Sequence, residues 1–343
     1  MGAACDSCLE SRIVDKSLQK VGNSFPTFLL YSPTFLYIVH FPAKMRCLNF
    51  SINTTNVRGL KDMKILPYWA KTYLHRLGLK QEEASLPYLS ALCRAHLQTF
   101  PYENVSKLLS YYFHKNSCVP TPSAFIENAV RHNFGGTCYA NNASFLALLH
   151  LLGFNGYLVS LADEHAAIII TDLLESSYPL YVDIAAAAPL FQPVPFTSDP
   201  LYQSSFGYES VLIAPDPADP HRYRFRRMRH QLLVNDSWHF DPTQKRELSD
   251  LAPAIARSFQ PDATFLTCLR IHMYQLSQKR CLSLKNNSLF ILYENGEDQK
   301  LRLRSIDELE VVVTREFGLP RLPVREAVTI LADAGIDVFA DKS

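Results

Sequence analysis

The chain has 343 residues, enough for two or three domains and a substantial core. Hydrophobic residues make up 48%, and 34 lysines and arginines nearly balance 33 aspartates and glutamates, for a net charge of +1. This excludes a polyelectrolyte chain and gives no global attraction to nucleic acid or to an anionic membrane.

Residues 1–62 show no sustained helical period and read as a poorly ordered N-terminal extension. The apolar run FPTFLLYSPTFLYIVHFP at 25–42 has the length of a membrane span, but Pro26 and Pro33 break it, as do Thr27, Ser32 and Thr34. It reads as a disordered or strand-like stretch. The opening MGAACDSC carries Asp6 where myristoylation requires Ser or Thr. Of eight cysteines, only Cys5 and Cys8 form a C-x-x-C pair, with no second pair or nearby His to complete a zinc site. Scattered cysteines of this kind fit reduced thiols in a cytoplasmic protein.

The texture changes at Met63. Leu66, Trp69, Tyr73 and Leu77 fall at helical spacing, and Leu86, Leu89, Leu92 and Leu97 form a second set. Gly78 stops the first helix and Pro101 ends or kinks the second. TPSAFIENAVRH predicts a third, with Thr121 as cap and Pro122 at its first position. A fourth runs from Cys138 to Leu152 and stops at Gly153. After Gly156 the runs YLVSL, HAAIIIT and PLYVDIA read as strands. HRYRFRRM and QLLVNDSWHF read as a hairpin with Asn235-Asp236 near its turn. Residues 260–343 mix strands with two helical patterns. The predicted organisation is an extension (1–62), a helical bundle (63–155), a β-rich part (156–259) and an α/β part (260–343).

HRYRFRRMRH at 221–230 holds five arginines with Tyr223 and Phe225 between them. On a strand, Arg222, Arg224 and Arg226 share one face and the aromatics take the other. The near-neutral chain favours a solvated basic face over a nucleic-acid surface. One of these arginines could instead meet a phosphate.

The stretch HNFGGTCYANN at 132–142 is the chemically informative one. Gly135 and Gly136 allow positive φ or a close approach of backbone. Thr137 as N-cap puts Cys138 in the first turn of an apolar helix, where unpaired N–H groups and the helix dipole favour a thiolate. A thiol nucleophile needs a base, and the base needs an orienting carboxylate. His165 opens the strand HAAIIIT, 27 residues on, and Asp183 follows PLYV after 18 more. Adjacent strands would bring them together. Singly, each has an ordinary reading: a buried thiol, a strand-end histidine, a turn aspartate.

In this order, the chain resembles the arylamine N-acetyltransferase family over residues 63–343. The family pattern R-G-G-x-C reads FGGTC here, its histidine strand EHAAIII, its aspartate strand end YVDIAAAAP, its P-F-E-N element FPYENVSKLL, and its opening Y-L-x-R-I-G reads YLHRLGL. FGL at 317–319 follows near the C-terminus. The resemblance implies an α+β, papain-like cysteine-triad fold with an N-terminal helical bundle, a central β-barrel and a C-terminal α/β lid. It implies a cytoplasmic, xenobiotic-metabolising enzyme using acetyl-CoA as co-substrate, a small arylamine or hydrazine as acceptor, and no metal. Cys138, His165 and Asp183 would be catalytic, and backbone N–H groups at Gly136 and Thr137 would hold the oxyanion. Arg76 and Glu103 would keep two members of a supporting ion-pair cluster.

Three departures stand out. Phe134 replaces the arginine before the glycines, Ala185 to Ala188 replace glycines after the aspartate, and the Cys-to-His interval is short. They leave open a related amide-forming enzyme or hydrolase with another acyl donor, and a catalytically idle ligand-binding member. The amine, the preferred acyl-CoA, the role of residues 1–62 and the oligomeric state are not written in the sequence.

Overall fold

The structure is a computed structural model that describes residues 29–32, 35–38, 65–113 and 117–340. The chain divides into two compact units, Met1–Arg58 and Gly59–Ser343. In the first, β1 (Leu29–Ser32) and β2 (Phe35–Ile38) form an antiparallel hairpin with Ser32 opposite Phe35, inside the apolar run at 25–42. The rest of that run, the Cys5–Cys8 pair and Met63 lie outside the described residues.

The second unit begins with helices. α1 (Tyr68–Leu77) ends at Gly78, whose φ of 69° is the left-handed conformation that closes the last turn. α2 (Leu86–Thr99) starts at Ser85, whose hydroxyl accepts from the Tyr88 N–H. β3 (Tyr102–Glu103) and α3 (Val105–Tyr112) follow. Neither was expected, since two and eight residues are too short for a periodic signal. α4 (Pro122–His132) is capped by Thr121, whose hydroxyl accepts from the Ala124 N–H. α5 (Cys138–Leu151) is buried on nearly every side, as its continuous apolar sequence requires. Tyr73, Phe100, Phe125 and Phe145 pack with His96 at the centre of this bundle.

β4 (Asn155–Leu161), β5 (His165–Thr171) and β6 (Leu180–Val182) form a three-stranded antiparallel sheet in that order. β7 (Gln203–Phe206), β8 (Glu209–Asp216), β9 (Asp219–Arg229) and β10 (Leu232–Phe240) form a second sheet, ordered β10-β9-β8-β7. β5 is buried on both faces. Ala166, Ile168 and Ile170 join the core that holds α5, whereas Ala167 and Ile169 join one with Val211, Ile213 and Phe225 of the second sheet.

The expected β-barrel is not there: the two sheets are open and separate. β6 has only three residues, and Pro189, Pro193 and Pro195 then deprive the chain of ladder N–H donors. The β9–β10 turn also differs from expectation. It falls at His230 and Gln231, both at positive φ, while Asn235 marks irregular register inside β10.

α6 (Ala252–Arg257) leads to β11 (Arg270–Gln275), β12 (Arg280–Lys285), β13 (Ser288–Tyr293) and β14 (Asp298–Arg302). β3 completes this sheet, ordered β14-β13-β12-β11-β3, with Tyr102 opposite His272 and Glu103 opposite Ile271. α7 (Ile306–Arg315) and α8 (Val324–Asp333) share its core with α3 through Leu108, Leu282, Leu309 and Leu331. The C-terminal sheet therefore borrows its last strand from the helical segment.

Candidate active site

The two glycines are required for different reasons. A Cβ on Gly135 would lie 1.8 Å from the Pro101 carbonyl oxygen, so no side chain fits. Gly136 sits at φ 118°, a conformation that side chains disfavour. Together they bring the chain against β3. The Glu103 carboxylate accepts from the Gly135 N–H (3.1 Å), the Ser106 N–H (2.9 Å) and the Ser106 hydroxyl (2.7 Å). Burial raises the pKa of Glu103, against the effect of these donors.

A second, uncharged network holds the same loop from the bundle side. The Asn141 amide donates to the Gly136 carbonyl (2.6 Å), and its oxygen meets His96 Nε2 (3.0 Å). His96 Nδ1 meets the Tyr73 hydroxyl at 2.9 Å. Burial pushes His96 down to about 3, so the ring is neutral: Nε2–H donates to Asn141 and Nδ1 accepts from Tyr73. Every polar atom of this relay is used, as a buried network requires.

Thr137 then takes the extended N-cap position, and Cys138 opens α5, 4% exposed. The first-turn N–H groups of a helix have no intrahelical acceptor, so they point out at this end. His165 is the first residue of β5 and Asp183 the first after β6. His165 Nε2 meets Asp183 Oδ2 at 2.7 Å, and both are 2% exposed. Asp183 also accepts from the Tyr181 hydroxyl (2.9 Å), the Asn142 amide (3.0 Å) and the Ala185 N–H (2.9 Å). The Asn142 amide also donates to the Ala166 carbonyl, which ties α5 to β5.

Burial alone would lower the His165 pKa, but the Asp183 charge, the electrostatic effect of Cys138 and hydrogen bonds to both outweigh it and raise it to about 10. Burial would raise Asp183, and the His165 charge with hydrogen bonds from His165, Asn142 and the Ala185 N–H holds it below the ordinary carboxylate range. With Nε2 committed to Asp183, Nδ1 is the nitrogen left for the thiol. Trp238 of β10 stacks on the ring, centroids 4.2 Å apart and planes 13° from parallel.

Beside Gly136 and Thr137 lies a cleft of about 740 Å³, lined among others by Phe125, Phe134, Tyr139 and Lys107. Phe134, in place of the expected arginine, is half-buried and leaves Glu103 without a cation from that side. Arg76 does not supply one: its guanidinium lies 5.5 Å over the Phe100 ring. The expected ion-pair cluster is thus replaced by backbone and hydroxyl donors to Glu103.

The structure brings Cys138, His165 and Asp183 together as their order suggested, with Gly136 and Thr137 at the same helix end. It adds residues the sequence did not single out: Asn141, Asn142, Tyr181, His96 and Trp238. The only trace of these was the polar pair Asn141-Asn142 inside an apolar helix, two residues with no reason to be buried unless bonded.

Residues 85–167 match the model of a protein family described as N-acetyltransferase. The segment contains Cys138 and His165. No curated protein sequence matches the chain. Among solved structures, the chain is similar to the arylamine N-acetyltransferase of Salmonella typhimurium, at 17% identity and a TM-score of 0.64, over 78% of this chain and 100% of that one. It is similar to Mycobacterium marinum arylamine N-acetyltransferase in complex with CoA, at 17% identity and a TM-score of 0.63, over 79% and 100%. A third is the Bacillus cereus arylamine N-acetyltransferase, described as having a unique Cys-His-Glu catalytic triad, at 19% identity and a TM-score of 0.58, over 74% and 99%. The chain has the arylamine N-acetyltransferase fold. The resemblance read from the sequence is thus shown, at low identity, and the matched family is one of acyltransferases. In this fold the carboxylate on the histidine is here an aspartate, Asp183. None of the described helices is long and apolar enough to cross a membrane.

Proposed function

We propose that this protein is an acetyl-CoA-dependent N-acetyltransferase that acts on arylamines or hydrazines through an acetyl-cysteine intermediate. The observation that carries this reading is the buried Asp183–His165 pair (2.7 Å) set against Cys138 at the tip of α5. His165 takes the thiol proton and is held as imidazolium by Asp183. The thiolate attacks the thioester carbonyl, the C–S bond to CoA breaks, and CoA leaves with a proton. The amine then attacks the acetyl-cysteine, His165 collects the amine proton, and Cys138 is released. The N–H groups at Gly136 and Thr137, two residues and one residue before Cys138, are the backbone donors assigned to the developing oxyanion. Two networks support their position by fixing the Gly135 N–H and the Gly136 carbonyl. We assign the protein to the cytoplasm, where scattered thiols stay reduced.

The test is intact-protein mass of the full chain after incubation with acetyl-CoA and no amine. One added acetyl group, absent in Cys138→Ala and discharged by an arylamine, is the expected result. No added mass with a Cys138 that still alkylates readily means another acyl donor. No added mass with an inert Cys138 means an idle family member.

A further inference from the structure

A second, smaller cavity of about 160 Å³, close to the ~150 Å³ that holds a benzene ring, is lined by Tyr102, which pairs with Gly136 two residues before Cys138. Tyr102, Ala187, His272 and three arginines, Arg227, Arg229 and Arg270, line it. Arg227 and Arg229 lie two residues apart on β9 and share a face, and Arg270 opens β11. Glu209 is the one carboxylate in the lining, and it is taken by Arg229 at 2.5 Å. Arg227 donates to the Ala186 carbonyl at 2.5 Å. The Arg270 guanidinium has no hydrogen bond or ion pair among the described residues, and its Nε is buried without a partner. Three cations against one carboxylate, in a partly enclosed space, is an arrangement that a protein retains at a cost unless an anion completes it.

The field of this cluster is visible on its neighbours. Burial first, then Arg227 and Arg270, drive His272 down to about 3, so it adds no charge of its own. Tyr102 joins the cavity to the triad. Burial first and then Cys138 raise its phenol, while Arg270 and Arg227 act to lower it. Ala187 lies four residues after Asp183, on the loop whose Ala186 carbonyl Arg227 holds.

We propose that this cavity is a carboxylate subsite, with Arg270 and Arg227 recognising an acidic group on the substrate brought to Cys138. The inference builds on the acyltransferase reading and adds the substrate's charge to it. The carboxylate can sit on the aromatic ring of the acceptor or at the far end of the acyl group. A planar guanidinium with free donors suits a carboxylate in either place.

The experiment is calorimetric binding to the full-length Cys138→Ala protein, which needs no turnover. 4-Aminobenzoate is compared with 4-aminobenzamide, and malonyl-CoA with acetyl-CoA. The expected result is a preference of about tenfold or more for the acid in one pair, falling to within about twofold in Arg270→Met. Arg270→Lys should keep part of it. The Arg270 guanidinium makes no hydrogen bond or ion pair among the described residues, and its backbone bonds to Asn104 do not depend on the side chain, so Arg270→Met should melt no lower than its parent; if it does not fold, Arg270→Gln replaces it. A preference in the first pair places the carboxylate on the acceptor, and one in the second places it on the acyl group. Equal binding within both pairs overturns the inference, as does a preference that survives loss of Arg270. Equal weakening of CoA, acetyl-CoA and malonyl-CoA also overturns it, by assigning the arginines to a phosphate. An acid preference without acetyl transfer to wild-type Cys138 would keep the subsite and reject the acetyltransferase.

Discussion

The indole of Trp238 lies flat on the imidazole of His165, 4.2 Å away and 13° from parallel, while its Nε1 donates to Glu164 at 3.3 Å. His165 points to the same side of β5 as Ala167 and Ile169, the side covered by β9 and β10, so a distant strand closes one face of the ring. A stacked indole fixes the imidazole plane and favours its charged form. Trp238→Ala should slow alkylation of Cys138 by about 2- to 10-fold, the scale of one aromatic contact. Trp238→Phe should recover part of the rate. An unchanged rate in Trp238→Ala would show the stack to be mere packing.

The raised pKa of His165 sets a pH window. The folded imidazolium is stabilised relative to an ordinary histidine at 6.5, so its contribution to stability is fully present below about 6.5. It is lost as pH rises through about 10. Melting temperatures of wild type and His165→Gln should differ most near pH 6 and converge toward pH 10. A gap that stays constant with pH would contradict the shift.

Asp183→Asn keeps the side-chain size but removes the charge that holds the imidazolium. It also presents an amide N–H where four donors now converge. Acetyl transfer should fall by about two to four orders of magnitude, as for other oriented base pairs. Stability should fall as well, since Tyr181 or Asn142 loses an acceptor. Stopped-flow acetylation and a denaturant melt separate the two effects.

Gly135 has no room for a methyl group. Gly135→Ala would drive Cβ into the Pro101 carbonyl, a rigid backbone atom, and should cost about 3 kcal/mol or more in a urea melt.

Ala187 tests the opposite case. It sits at φ 48°, where alanine is strained and glycine is not. Ala187→Gly should leave stability unchanged or raise it by up to about 1 kcal/mol, the relief of strain less the entropy of a freer chain. A clear loss would mean that the alanine methyl packs in a way that outweighs its strain.

Much of the site was legible in the amino-acid order. Gly-Gly before a cysteine, Thr137 at the cap and an apolar helix behind them follow from local backbone rules, and so does the start of β5 at His165; the strand read over PLYVDIA is there but stops at Val182, one residue before Asp183. α1, α2, α4 and α5 fall where their caps and periods put them, because ten or more residues carry a repeating signal. β3 and α3 do not, since two and eight residues carry none. The expected barrel failed for the same reason: whether sheets close depends on register and on edges between distant segments, which no local pattern encodes.

Local sequence thus determined which residues could form a triad and which elements would carry them. The tertiary structure alone decided what surrounds it. Trp238 reaches His165 from 73 residues away, β3 joins a sheet whose other strands begin at Arg270, and Arg76 lies on Phe100 rather than beside Glu103. Each of these is a contact between segments far apart in the chain. Its partners are fixed by packing and by the satisfaction of buried polar groups, which a one-dimensional pattern does not record.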